Sequence, residues 1–194
     1  MKALFSFTAL VCICGSTAFA LNRTIGSKSQ TSACSDFASP SMRCFKGGFK
    51  IVSGDMLYLK DGAKTVKAKL TGLDAFITGL SGGKSQTCLD EKGISYDCGK
   101  KSKEHLESLL VKHPSILCAA SSTASVKGES YAWVHCKAGS VDLNEAMLKD
   151  GWAVSTNLTA ASKYSKDEEF AETHKNGAFA GSFSRPMEWL KNQN

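Results

Sequence analysis

The chain has 194 residues and a formal charge of +6, with 42% of its residues hydrophobic and 22% charged. That is enough for one domain with a real core. Its long apolar run, at the N-terminus, falls short of the ~20 residues that a membrane-spanning helix needs, and no Cys-x-x-Cys spacing directs its cysteines to zinc or redox chemistry.

In chain order, the first segment reads as a targeting signal. Lys2 precedes an apolar stretch over residues 3–14, followed by small residues and Ala18-Phe19-Ala20. A charged start, an apolar centre and an Ala-x-Ala site are the parts of a secretory signal. A cut after Ala20 is expected, giving a secreted or periplasmic protein with no membrane anchor. It removes Cys12, Cys14 and Lys2, which takes the 24 basic residues to 23 against 18 acidic ones, or +5. Cys34, Cys44, Cys88, Cys98, Cys118 and Cys136 remain, and an even count in an exported chain reads as disulfides. Of the 15 pairings open to six cysteines, the sequence neighbours Cys34–Cys44, Cys88–Cys98 and Cys118–Cys136 are favoured. The basic balance suits a polyanion such as nucleic acid, an acidic polysaccharide or an anionic membrane face; solubility alone explains it equally well.

Residues 21–46, rich in Ser and Thr, read as a loose leader pinned by Cys34 and Cys44. Residues 49–59 and 65–74 are extended runs on either side of the turn Lys60-Asp61-Gly62-Ala63-Lys64, as in a hairpin. Each run carries an acid, Asp55 beside Gly54 and Asp74 at the end, and two carboxylates brought together this way are potential ligands for a hard cation. Residues 77–99 are polar, with Cys88–Cys98 stapling the second half. Residues 102–113 form a helix, with Leu106, Leu109, Leu110 and His113 on one face, stopped by Pro114. Residues 115–119 are a short strand, 121–130 a small-residue loop, and 131–136 a strand with Tyr131, Trp133 and His135 on one side and Ala132, Val134 and Cys136 on the other. Asp142 with Glu145 caps a helix closed by Gly151, and Ser165 with Glu168 caps another that ends before Gly177. Residues 179–189 are an aromatic tail expected to pack on the core.

This order predicts an α+β chain: a five-stranded barrel of the oligonucleotide/oligosaccharide-binding (OB) type with about three packed helices, occupying residues 47–194. The four histidines, His105, His113, His135 and His174, have no metal-ligand spacing and read as surface or packing residues. Trp133, Trp152 and Trp189 read as core aromatics, with base stacking as the functional alternative. Asn22 and Asn157 head glycosylation sequons that matter only in a eukaryotic secretory route. A monomer is expected.

Several motifs carry a family resemblance. They are Val52-Ser-Gly-Asp-Met-Leu57, Lys69-Leu-Thr-Gly-Leu-Asp-Ala75, Gln86-Thr-Cys88 with Cys98-Gly99, Asp142-Leu-Asn-Glu-Ala-Met-Leu-Lys-Asp-Gly-Trp-Ala153, and Gly177-Ala-Phe-Ala-Gly-Ser-Phe183 leading to Pro186 and Glu188-Trp189. In this order, over about three quarters of the chain, they resemble the secreted thermonuclease (staphylococcal-nuclease-like) family. The resemblance implies phosphodiester hydrolysis with calcium held by Asp55, Asp74 and the Ala75 carbonyl. It also implies damage to that machinery. The water-activating glutamate is Ile77, one phosphate-gripping arginine is Lys69, and the other falls on Glu129, which reverses its charge. A general base is worth 10²–10⁴-fold and a charge-stabilising donor ~10²–10³, so an impaired or inactive nuclease is expected, with a binding or accessory role towards an anionic polymer. Some exported relatives of this family are associated with exopolysaccharide production. The alternatives are an active calcium-dependent nuclease of DNA or RNA, with Asp90 or Glu91 supplying a substitute base, and binding of a protein partner.

Overall fold

The computed structural model describes residues 43–156 and 162–193. The segment that reads as a targeting signal, most of the expected leader with Cys34, and both sequons' asparagines lie outside the described residues. Among the described residues eleven strands and four α-helices follow one another: β1 (Arg43–Gly47), β2 (Phe49–Ser53), β3 (Met56–Asp61), β4 (Lys64–Leu70), β5 (Leu73–Ala75), β6 (Thr87–Leu89), β7 (Ser95–Asp97), α1 (Cys98–Leu110), β8 (Ile116–Val126), β9 (Glu129–Ala138), β10 (Val141–Asp142), α2 (Leu143–Lys149), β11 (Ala153–Ser155), α3 (Lys163–His174) and α4 (Pro186–Lys191). The chain is mixed α+β.

The main sheet has seven strands where five were expected, in the order β1-β8-β9-β4-β3-β2 with β10 added on β9. All its pairings are antiparallel except β4 with β9. β5 and β11 pair separately, as do β6 and β7. The sheet curls: Arg43 of β1 forms an ion pair with Asp61 of β3 although β8, β9 and β4 lie between them along the hydrogen-bonded order. Its concave face carries Leu57, Leu59, Val66, Ala68, Leu70, Ala132 and Val134, and α1 and α2 close over it with Leu106, Leu110, Leu143, Met147 and Leu148. A smaller apolar cluster joins Phe76, Cys88, Cys98, Val154 and Ala178. Phe183 of the tail meets Phe76 and Phe179 edge-on, at 5.0 Å from each.

Four boundaries differ from the sequence expectation, each for a local reason. The first run is itself a hairpin: β2 turns at Gly54-Asp55 into β3. Residues 121–130 are not a loop but the outer half of the β8–β9 hairpin, whose register runs to Val126↔Glu129. Lys127 (φ 49°) and Gly128 (φ 83°) make its two-residue turn, and positive φ at both positions matches the right-handed twist of the strands. Helix α1 begins at Cys98 rather than 102, because the Asp97 carboxylate accepts from the Lys100 N–H at 2.7 Å. The cap of α3 is Ser162, not Ser165. Phe45, the next-to-last residue of the stretch 21–46 that read as a leader, is buried in the core from β1.

Two disulfides join described residues, Cys88–Cys98 and Cys118–Cys136. The second links cross-strand partners of β8 and β9. Buried Asn144 on α2 accepts from the Cys136 N–H at 3.0 Å and donates to Thr71 O at 2.9 Å and Val134 O at 3.2 Å. It thereby fixes α2 to β9 and to the β4–β5 turn. Among the described residues no helix is long and apolar enough to cross a membrane.

Candidate functional site

Three elements that are separate in sequence bring Asp55, Lys69 and Asp74 together. Asp55 sits in the β2–β3 turn, Lys69 near the end of β4, and Asp74 in the middle of β5. The turn is pressed against α1: a Cβ on Gly54 would stand 2.1 Å from Ser102 Oγ and 2.9 Å from Ala75 Cβ. Glycine is what lets the Asp55 backbone approach so closely. Leu70 N–H donates to the Asp55 carbonyl at 2.8 Å, tying the turn to β4.

The lysine lies between the two acids. Its ammonium pairs with Asp55 Oδ2, stands 3.0 Å from Asp74 Oδ1 and donates to Leu73 O at 3.3 Å. An ammonium has three protons, and three partners take them. Asp55 is equally engaged: Oδ1 accepts from Ser53 Oγ at 2.8 Å, and Oδ2 accepts from the Ala75 N–H at 3.3 Å as well as from Lys69. Burial alone would push the Lys69 ammonium down, but the charges and hydrogen bonds of Asp55 and Asp74 outweigh it and hold its pKa above the ordinary 10.5. The triad is thus a closed charge cluster in which Lys69 supplies the cation.

The remaining predicted residues are dispersed. Ala75 pairs with Ala153 in the β5–β11 ladder. Ile77, two residues past β5, exchanges backbone and side-chain bonds with buried Gln86: its N–H donates to Gln86 Oε1 at 3.1 Å and its carbonyl accepts from the Gln86 N–H at 2.8 Å. Glu129 lies at the tip of the β8–β9 hairpin, accepting from Tyr131 OH at 2.7 Å. Trp133 is the β9 partner of Lys69, and four residues of strand separate Glu129 from it, about 13 Å at ~3.3 Å per residue. Asp90 holds the β6–β7 turn, accepting from the Lys92 and Ile94 N–H groups, both at 2.8 Å. With Glu91 it borders a 570 Å³ cleft beside Tyr96 and Trp152, which neither Asp55 nor Asp74 lines. The hairpin's end is pinned where Leu89 and Ser182 exchange backbone bonds. Both arginines among the described residues are committed elsewhere, Arg43 to Asp61 and Arg185 to Glu168 in a two-pronged pair at 2.7 and 3.2 Å.

Two features escaped the sequence reading. His135 bridges Asp142 (2.7 Å from Nε2) and Tyr164 OH (2.9 Å from Nδ1). The alternation in β9 put His135 on the outer face, but its partners come from 7 and 29 residues away. The second is the convex face of the sheet. Lys50, Tyr58, Lys67 and Tyr131 are successive register partners across β2, β3, β4 and β9. Lys67 Nζ lies 5.6 Å from the centre of the Tyr131 ring. The alternation over residues 131–136 was visible in the sequence; the alignment of the four strands was not. Among the described residues no group of three or more His, Cys, Asp or Glu side chains is placed to hold a metal ion. No protein-family model and no curated protein matches the chain.

Proposed function

We propose that the protein is an exported, thermonuclease-like protein of the OB-barrel type whose hydrolytic site is disabled and whose sheet serves to bind an anionic polymer. The observation that carries this reading is the position of Lys69. The resemblance places calcium between Asp55 and Asp74, and the ammonium lies between those two carboxylates. Calcium asks for six to eight oxygens; two half-buried carboxylates already shared by an internal cation do not fit it. Three further observations support the reading. Ile77 offers no group to accept a proton from water. Neither described arginine stands at the aspartates. Lys69 has spent its donors on the protein and lacks the planar fork that grips a phosphate from two sides. The curled sheet capped by helices is compatible with an OB-type barrel, and the two disulfides suit an oxidising compartment. A role beside exopolysaccharide production is a specialisation of the same reading.

The test is a plasmid-digestion assay with calcium. Supercoiled DNA is expected to stay intact, and calcium is expected to leave the melting temperature unchanged. Robust cutting that Asp55→Ala abolishes would reject the proposal in favour of an active nuclease.

A further inference from the structure

We infer that the convex face of the main sheet is a binding site for single-stranded nucleic acid, with Tyr58 and Tyr131 as stacking platforms and Lys50 and Lys67 as phosphate contacts. The inference rests on the anionic-polymer reading above and names its surface and ligand. Four strands bring Lys50, Tyr58, Lys67 and Tyr131 into one row. Neighbouring strands lie ~4.8 Å apart, so charge and ring alternate at that spacing along the row. Lys50, Lys60 and Lys64 are exposed and Lys67 is half-buried. None of the four has a salt-bridge partner among the described residues, unlike Lys69, two residues along β4 from Lys67. Two clefts, of 300 and 410 Å³, share Tyr58 and Thr65 as a common wall and together run from Lys50 to Glu129. Trp133, 39% exposed, continues the aromatic surface on β9.

A positive groove with interleaved rings is the pattern by which proteins hold single strands, because every base has a face to stack while the lysines follow the backbone. A duplex keeps its bases stacked on one another and has no face to offer Tyr58. An acidic polysaccharide needs the lysines but gives no role to two tyrosines set between them. Glu129 stands at one end of the row, where its carboxylate accepts from Tyr131 OH, and so marks the limit of the anion path.

The experiment measures fluorescence anisotropy of a labelled oligothymidylate with the mature chain, competed by a DNA duplex and by polygalacturonate. The labelled strand is expected to bind, and the duplex and polysaccharide to compete poorly. Tyr58→Ala and Tyr131→Ala should each weaken binding by about 5- to 150-fold, the worth of one stacked base, whereas Tyr58→Phe, which keeps the ring, should not. Lys50→Gln and Lys67→Gln should each lower the slope of log affinity against log salt by about 0.7. Binding that ignores the tyrosines overturns the inference, as does polygalacturonate binding with no affinity for the oligonucleotide; in both cases the anionic-polymer reading survives. If neither polymer binds at low salt, both fall.

Discussion

Replacing Lys69 by methionine tests the charge cluster directly. The change keeps an unbranched apolar stem and removes the ammonium from between Asp55 and Asp74. Two carboxylates that shared one nitrogen then face each other on the order of 5 Å apart, a repulsion of about 3 kcal/mol at an effective dielectric of 20. Breaking a fully buried pair costs about 3–5 kcal/mol and an exposed pair about 0–1. The aspartate side chains here are 13% and 20% exposed and Lys69 is 30% exposed, which places the loss near ~2 kcal/mol between those limits. At 2–4 °C per kcal/mol for a domain of this size, Tm should fall by about 4–8 °C. The assay is urea and thermal unfolding at neutral pH, with and without calcium. Calcium at ~10 mM should return about 1.4 kcal/mol if the freed acids hold it with a Kd near 1 mM, while the unaltered protein gains nothing. A variant as stable as its parent at neutral pH and indifferent to calcium would refute the assignment of Lys69 as the internal cation.

The same ammonium has an alkaline signature. Its folded pKa lies above 10.5, so its contribution is whole below that value and is lost as pH rises through the folded pKa; Lys69→Arg, charged to higher pH, should hold its stability where the parent declines. Burial, and then Asp90, also raise the Tyr96 phenol above 10.0, and its contribution disappears in the same direction in both proteins, so the difference between the two melting curves is the quantity to read. Asn144→Ala should cost about 2–4 kcal/mol by chemical denaturation, since it leaves the buried Cys136 N–H and Thr71 carbonyl without their partner. Replacing Cys118 and Cys136 together by alanine should cost about 3 kcal/mol from a loop spanning 18 residues; an unchanged urea midpoint would show that the β8–β9 register alone holds the hairpin.

Much of the scaffold was legible because its causes are local. The alternation in β9 separated buried Ala132, Val134 and Cys136 from outward Tyr131, Trp133 and His135, since a strand has period two. Asp142 announced α2 as a cap, and the aromatics of the tail announced their packing. Neighbouring cysteines pointed to Cys88–Cys98 and Cys118–Cys136. The stretch 121–130 was not legible: Ser, Thr and Ala give no apolar period, and it is a strand because β9 supplies its hydrogen-bond partners. The start of α1 was hidden by treating Cys98 as a loop cysteine, although Asp97 caps the helix one residue earlier.

The site divides along the same line. From the residue pattern alone came the pair of acids, and from the family resemblance the expectation that Ile77 stands where a base would. Only the folded chain decided that Lys69 reaches both acids, that Glu129 stands at a hairpin tip away from them, and that Lys50, Tyr58, Lys67 and Tyr131 share a row. Propensity and periodicity are properties of neighbours in sequence. Which charge neutralises which, and which strands stand in register, depend on contacts between residues far apart in the chain, and those exist only once the sheet has closed.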